Sequence, residues 1–172
     1  MTMAENNKTS YNLLDGATGE VAAVFKEVDQ QQKISADLNV PLDRRLEVFE
    51  DIFESEVGDT SLVRARNIER EVGLRQIYLK FEGGNPTGTQ KDRIAFAQAM
   101  DALRRGFDTI NVATCGNYGV AMALAAKFAG LHSRIFIPQG YHTRRIQEII
   151  ELGAGIIRVE GDYERAVDCL LY

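Results

Sequence analysis

From Thr109 onward the chain keeps a rhythm that few architectures accommodate. Thr109–Thr114, Arg134–Pro138 and Ile156–Glu160 have strand composition. Their starts fall about 22–25 residues apart, too close for separate domains and right for βαβ units. The intervening stretches read as helices: Tyr118–Ala129 stopped by Gly130, Thr143–Leu152 stopped by Gly153, and a third from Asp162. Right-handed crossovers then dictate an α/β fold, a parallel sheet with flanking helices. Ala121, Ala123, Ala125 and Ala126 give the first helix a small-residue surface that can lie close to a sheet or a ligand.

Upstream the pattern changes. Met1–Gln32 is polar and aperiodic and reads as a weakly structured arm or a short docked segment. Pro41 starts a helix whose apolar stripe is Leu42, Leu46, Phe49 and Phe53, closed by Gly58. Gln76–Phe81 has strand composition, and Ile94, Ala95, Phe96, Ala99, Met100 and Leu103 fall on helical spacing up to Gly106. Three regions are expected: an acidic arm and helix over 1–57, a lysine-bearing region over 58–106, and an α/β region over 107–172.

Met1–Thr60 carries a net charge of −8 and the remainder +3, which together make the −5 of the chain. An acidic front argues against nucleic acid as the main partner. No apolar run reaches membrane-spanning length, and Met1–Ser10 lacks the apolar core of a secretion signal, so a cytoplasmic protein is expected. Cys115 and Cys169 fit neither metal-ligand spacing nor a disulfide framework, and His132 and His142 stand alone in expected loops.

The chemistry concentrates in Asn85–Arg93, NPTGTQKDR, where a Gly/Pro-broken loop turns into a helix at Lys91. Unpaired N–H groups make that end of a helix unfavourable for a cation. A helix selected for stability alone would carry Asp, Ser or Glu there, whereas a lysine amine suits condensation with an aldehyde. Gly83 and Gly88 have P-loop separation, but Thr89-Gln90 intervene before Lys91, so the phosphate-loop reading fails. A second loop, Thr114-Cys115-Gly116-Asn117-Tyr118-Gly119, lies at the carboxyl end of an expected parallel strand, the edge at which open α/β sheets bind ligands. By itself it is equally a plain βα turn.

Together the two loops resemble the pyridoxal-phosphate enzymes of fold type II, the tryptophan-synthase-β-like family that includes threonine synthase, cysteine synthase and threonine dehydratase. The likeness runs from about Gly58 to the chain end. Gly58–Arg64 (GDTSLVR) is similar to the family's G-x-T-P-L opening, with Ser61 where proline is usual. The Phe81-Glu82-Gly83-Gly84 stretch and the lysine string are most similar to threonine synthase, except that Gln90 replaces an aromatic residue. Thr143–Asp168 is similar to a further family run.

The resemblance implies that Lys91 holds pyridoxal 5'-phosphate covalently and moves protons. It also implies that Asn117 bonds the ring oxygen and that Thr114, Cys115 and Gly116 hold the carboxylate of a small amino-acid substrate. The implied reaction converts O-phosphohomoserine and water to threonine and phosphate. The alternatives are β-replacement, as in a cysteine or cysteate synthase, and a non-catalytic remnant of the fold. In the family a Gly-rich phosphate loop follows in the second half. The resemblance therefore implies a two-domain enzyme truncated to its N-terminal half, weak or inactive alone, with a homo-oligomer or a partner chain supplying the rest.

Overall fold

The computed structural model describes residues 23–114, 116–142 and 144–171. Cys115 and Thr143 therefore lie outside the described residues. Three strands form the parallel sheet that the rhythm predicts: β3 (Thr109–Ala113), β4 (His132–Pro138) and β5 (Gly155–Val159), in the order β3-β4-β5. An antiparallel pair, β1 (Leu62–Arg64) and β2 (Tyr78–Lys80), lies apart from it in sequence. The helices are α1 (Ala23–Ala36), α2 (Leu42–Glu56), α3 (Arg66–Val72), α4 (Lys91–Arg104), α5 (Asn117–Ala129), α6 (Ile146–Glu151) and α7 (Tyr163–Leu171). None of them is long and apolar enough to cross a membrane.

The layers follow from the apolar faces. Helix α5 packs on β3 and β4, with α6 beside it against β5. Helix α7 packs on β3 and β4 rather than on α5 or α6, and so covers the opposite face. The crossover thus changes faces after β5 and comes back over β3. Gly119 allows the close approach of α5: a Cβ there would stand 3.0 Å from both Ile149 Cδ1 and Thr114 Cγ2. Ala121, Ala123, Ala125 and Ala126 are all buried, so the small-residue surface serves packing on several sides.

Beneath α5 lies a helical layer of α1, α2 and α4. Its centre is Phe96, stacked on Phe49 at 5.7 Å between ring centroids and met edge-on by Phe128 at 6.1 Å. Buried Arg45 ties this layer to α5, its Nε donating to Ser35 O at 3.0 Å and its Nη2 to Ala129 O at 2.6 Å. A cation placed at the carbonyl ends of α1 and α5 satisfies orphan acceptors and opposes both helix dipoles.

Several expectations need correction. Of the two readings of the front, the weakly structured arm fails for residues 23–32, which are helical and docked, because α1 packs on α2 and α5 and its buried Ser35 donates to Phe128 O at 2.6 Å. The strand over Gln76–Phe81 shortens to Tyr78–Lys80, since Gln76 adopts a left-handed φ of 62° that a strand cannot continue through. His132 opens β4 instead of sitting in a loop, and it is exposed there. Leu42 is 40 % exposed, and the buried face of α2 is instead Arg45, Val48, Phe49 and Ile52.

Candidate active site

The lysine loop is held by nearly every polar side chain it contains. After β2 the chain makes a 3₁₀ turn over Glu82–Gly84 and runs through Asn85–Gln90 into α4, whose first residue is Lys91. Asn85 is buried; its Oδ1 accepts from Gly58 N at 3.0 Å and its Nδ2 donates to Glu82 O at 2.8 Å. Thr87 donates twice to the fully buried carboxylate of Asp92, from N to Oδ2 at 2.9 Å and from Oγ1 to Oδ1 at 2.7 Å. Arg93 grips Glu82 with two bonds, Nε to Oε2 at 2.8 Å and Nη2 to Oε1 at 3.0 Å, and Nη2 also reaches Gly58 O at 2.9 Å.

The GDTSLVR stretch and the lysine string therefore fold onto one another. Gly58 takes φ +100°, and a Cβ there would lie 2.7 Å from Arg93 Nη1, so the position requires glycine. Thr89 Oγ1 accepts from Lys91 N at 3.2 Å. The half-buried Lys91 side chain is the exception: its amine has no hydrogen-bond or ion-pair partner among the described residues. Asn85, Thr87, Asp92 and Arg93 build the loop, and the amine is left over.

The bonds to Glu82 make the loop sensitive to acid. Arg93, chiefly through its hydrogen bonds, holds the Glu82 carboxyl at about 2; the bonds from Asn85 and Thr60 assist, and desolvation opposes. A carboxylate whose folded value lies below its ordinary 4.5 contributes stability that is complete above pH 4.5 and is lost as pH falls toward 2. Melting curves should therefore shift down across that window, and Glu82→Gln should flatten that part of the dependence. An unchanged acid profile in the variant would show that the pair is not the source.

The second loop leaves β3 at its carboxyl end. Thr114 is buried, its N donates to Phe136 O at 3.1 Å, and its Oγ1 accepts from Gly116 N at 3.4 Å. Asn117, the first residue of α5, is exposed. Arg145 connects the two loops: its Nη1 donates to Asn117 Oδ1 at 2.9 Å and its Nη2 to Thr87 O at 3.0 Å. The same guanidinium bonds Glu148 Oε2 at 2.8 Å and, chiefly through its hydrogen bonds, keeps that carboxyl below the usual range.

Lys91, Asn117, Thr114 and Gly116 thus belong to two loops joined by one guanidinium, with Cys115 outside the described residues. The sequence reading missed Arg145, Asp92 and the Glu82–Arg93 pair. Arg145 sits in a basic Arg144-Arg145 run indistinguishable from a solvated helix start. The mutual bonding of Asn85, Thr87, Asp92 and Arg93 was nevertheless present in NPTGTQKDR as a polar cluster around one amine.

The second loop leaves β3 at the carboxyl edge of a parallel sheet with helices on both faces, the edge where open α/β sheets bind ligands. The matching family is that of pyridoxal-phosphate dependent enzymes, whose model covers residues 53–170. The chain belongs to this family, and the family's cofactor is pyridoxal phosphate. It is 31% identical over 112 residues to a threonine synthase of Methanocaldococcus jannaschii, a match covering 64% of this chain and 28% of that protein. It is 37% identical over 107 residues to a cystathionine beta-synthase of Apis mellifera, covering 59% of this chain and 21% of that one. The cysteine synthase of Entamoeba histolytica superposes with a TM-score of 0.62 at 26% identity, over 70% of this chain and 38% of that one. The matched part spans under a third of the length of these two curated relatives.

The donor set fits the aldehyde-and-ring end of that cofactor. It offers a primary amine without a partner among the described residues, and an exposed amide at a βα turn.

Proposed function

We propose that this chain supplies the lysine-bearing part of a pyridoxal-phosphate lyase that acts on O-phosphohomoserine and water to give threonine and phosphate. The observation that carries the reading is the lysine loop, which Asn85, Thr87, Asp92 and Arg93 hold in place while the amine of Lys91 takes no part among the described residues. The likeness of the lysine string to threonine synthase, and the relative of that name, support the substrate. A second reading, β-replacement on an activated serine, is supported by Gln90 in place of the aromatic residue and by the cystathionine beta-synthase and cysteine synthase relatives.

When bound, pyridoxal phosphate supplies an aldehyde for attachment and a ring that withdraws electrons from the substrate. The rest falls to side chains and backbone. Lys91 Nζ is the attachment point and then the proton carrier, placed by a loop that Asp92 and Arg93 hold rigid. Asn117 donates to the ring oxygen. Thr114, Gly116 and Cys115 receive the substrate carboxylate at the strand end, with the Thr114 hydroxyl as a donor.

Two assays separate the readings: phosphate release from O-phosphohomoserine, and product formation from an O-acyl serine, a thiol with sulfide or a thioether with an added thiol. Turnover of the first substrate alone supports the lyase. Turnover of the second alone supports β-replacement.

Asn117→Ala gives a test of the site itself. A hydrogen bond to a charged oxygen contributes about 1.5–3 kcal/mol, so the variant should bind pyridoxal phosphate about 10- to 150-fold more weakly. Because Asn117 is exposed, the melting temperature should scarcely move. Lower thermal stability with unchanged affinity would make Asn117 a plain turn residue.

A further inference from the structure

The Asn117 side chain has two ends of opposite character, an oxygen that only accepts and an NH₂ that only donates. Which end faces a ligand depends on what holds the other. Arg145 Nη1 donates to Asn117 Oδ1 at 2.9 Å. A guanidinium has no acceptor, so the amide is obliged to turn its oxygen toward Arg145. Its NH₂ end has no partner among the described residues.

Arg145 is itself immobilised. Its Nη2 donates to Thr87 O at 3.0 Å and to Glu148 Oε2 at 2.8 Å, its Nε lies 3.2 Å from both Glu148 oxygens, and its side chain is 23% exposed. Three segments distant in sequence therefore meet at one planar cation: the lysine loop at Thr87, the start of α5 at Asn117 and the start of α6 at Glu148. Arginine suits this junction because its planar fork fixes several bonds at once, whereas lysine offers a single point charge.

We infer that Arg145 is a positioning residue that sets the orientation of the Asn117 amide, so that a donor and not an acceptor faces the bound ring oxygen. Through Thr87 O it also fixes that donor relative to the loop bearing Lys91. The inference rests on the proposed role of Asn117 and deepens it: selectivity for an anionic oxygen at this point resides in a residue of α6's entrance that need not touch the ligand. Without Arg145 the exposed amide is free to present either end.

The test uses the full chain in two states. Without cofactor, ¹⁵N relaxation of the Asn117 side-chain amide should report an ordered group that becomes mobile in Arg145→Ala and is partly restored in Arg145→Lys. With pyridoxal phosphate titrated by absorbance, Arg145→Ala should weaken binding about three- to tenfold, the factor expected for one ordinary hydrogen bond. In the Asn117→Ala background the same change should have no further effect, because Arg145 acts through Asn117. Effects that multiply in the double variant, or an Arg145→Ala protein with unchanged amide order and affinity, would overturn the inference. Unchanged affinity in Asn117→Ala would sink the role of Asn117 and the inference with it, whereas a null result confined to Arg145→Ala leaves that role standing. Should Arg145→Ala not fold, Arg145→Lys and Arg145→Gln carry the same comparison.

Discussion

Lys91→Ala is expected to abolish covalent retention of pyridoxal phosphate while leaving the fold intact. The two halves of that result come from separate observations. The amine has no partner among the described residues, so its removal breaks no bond there, and alanine is a favourable residue at the first position of a helix. Stability should change by no more than about 0.5 kcal/mol. Function should fall steeply, because a positioned proton carrier contributes about 10²–10⁴-fold and the attachment point goes with it. Lys91→Arg should fail equally, since a guanidinium keeps its charge and does not condense with an aldehyde. Calorimetry beside the cofactor's absorbance checks both halves. A variant that melts well below the parent protein would mean that Lys91 is structural after all.

The second large effect is expected at its neighbour. Asp92 is fully buried, and both carboxylate oxygens accept from Thr87. Near the start of α4 its negative charge also lies at the favourable end of the helix dipole. Asp92→Ala removes two charge-assisted bonds and strands two donors, a loss of about 3 kcal/mol. For a chain of this size that corresponds to a fall of roughly 6–12 °C in melting temperature. Asp92→Asn should be milder, since one acceptor survives while the new NH₂ opposes a donor. Cofactor binding should weaken in both, because Thr87 carries the carbonyl that Arg145 grips. A drop of less than about 1 kcal/mol in Asp92→Ala would show that other contacts fix the loop. Lys91 and Asp92, adjacent in sequence, should thus give opposite phenotypes, one losing chemistry without stability and the other losing stability first.

The parallel sheet was legible because its signal is local. β-Branched runs at regular intervals and glycines after helices set β3, α5, β4 and β5 to within about two residues of their observed ends. Residues held by distant partners were not legible. Helix α1 is polar along much of its length and depends on Ser35 and Arg45 reaching the end of α5. Helix α3 depends on Glu69, which accepts from Arg64 Nε at 2.8 Å and from Ile77 N at 2.9 Å. Neither contact has a periodic trace. The site divides the same way: Lys91 stood out because its position contradicts helix preference, whereas Arg145 acquires meaning only once α6 brings it to Asn117 and Thr87.

The proposed site stands or falls with which amine meets the cofactor. Lys80 is an instructive control, because its Nζ already donates to Thr60 O at 2.6 Å, while Lys127 is exposed on α5. The full chain is mixed with pyridoxal phosphate and reduced with borohydride, and the labelled peptides are mapped. One label, on Lys91 within NPTGTQKDR, is the predicted result. A label on Lys80 or Lys127 with Lys91 unmodified would contradict it.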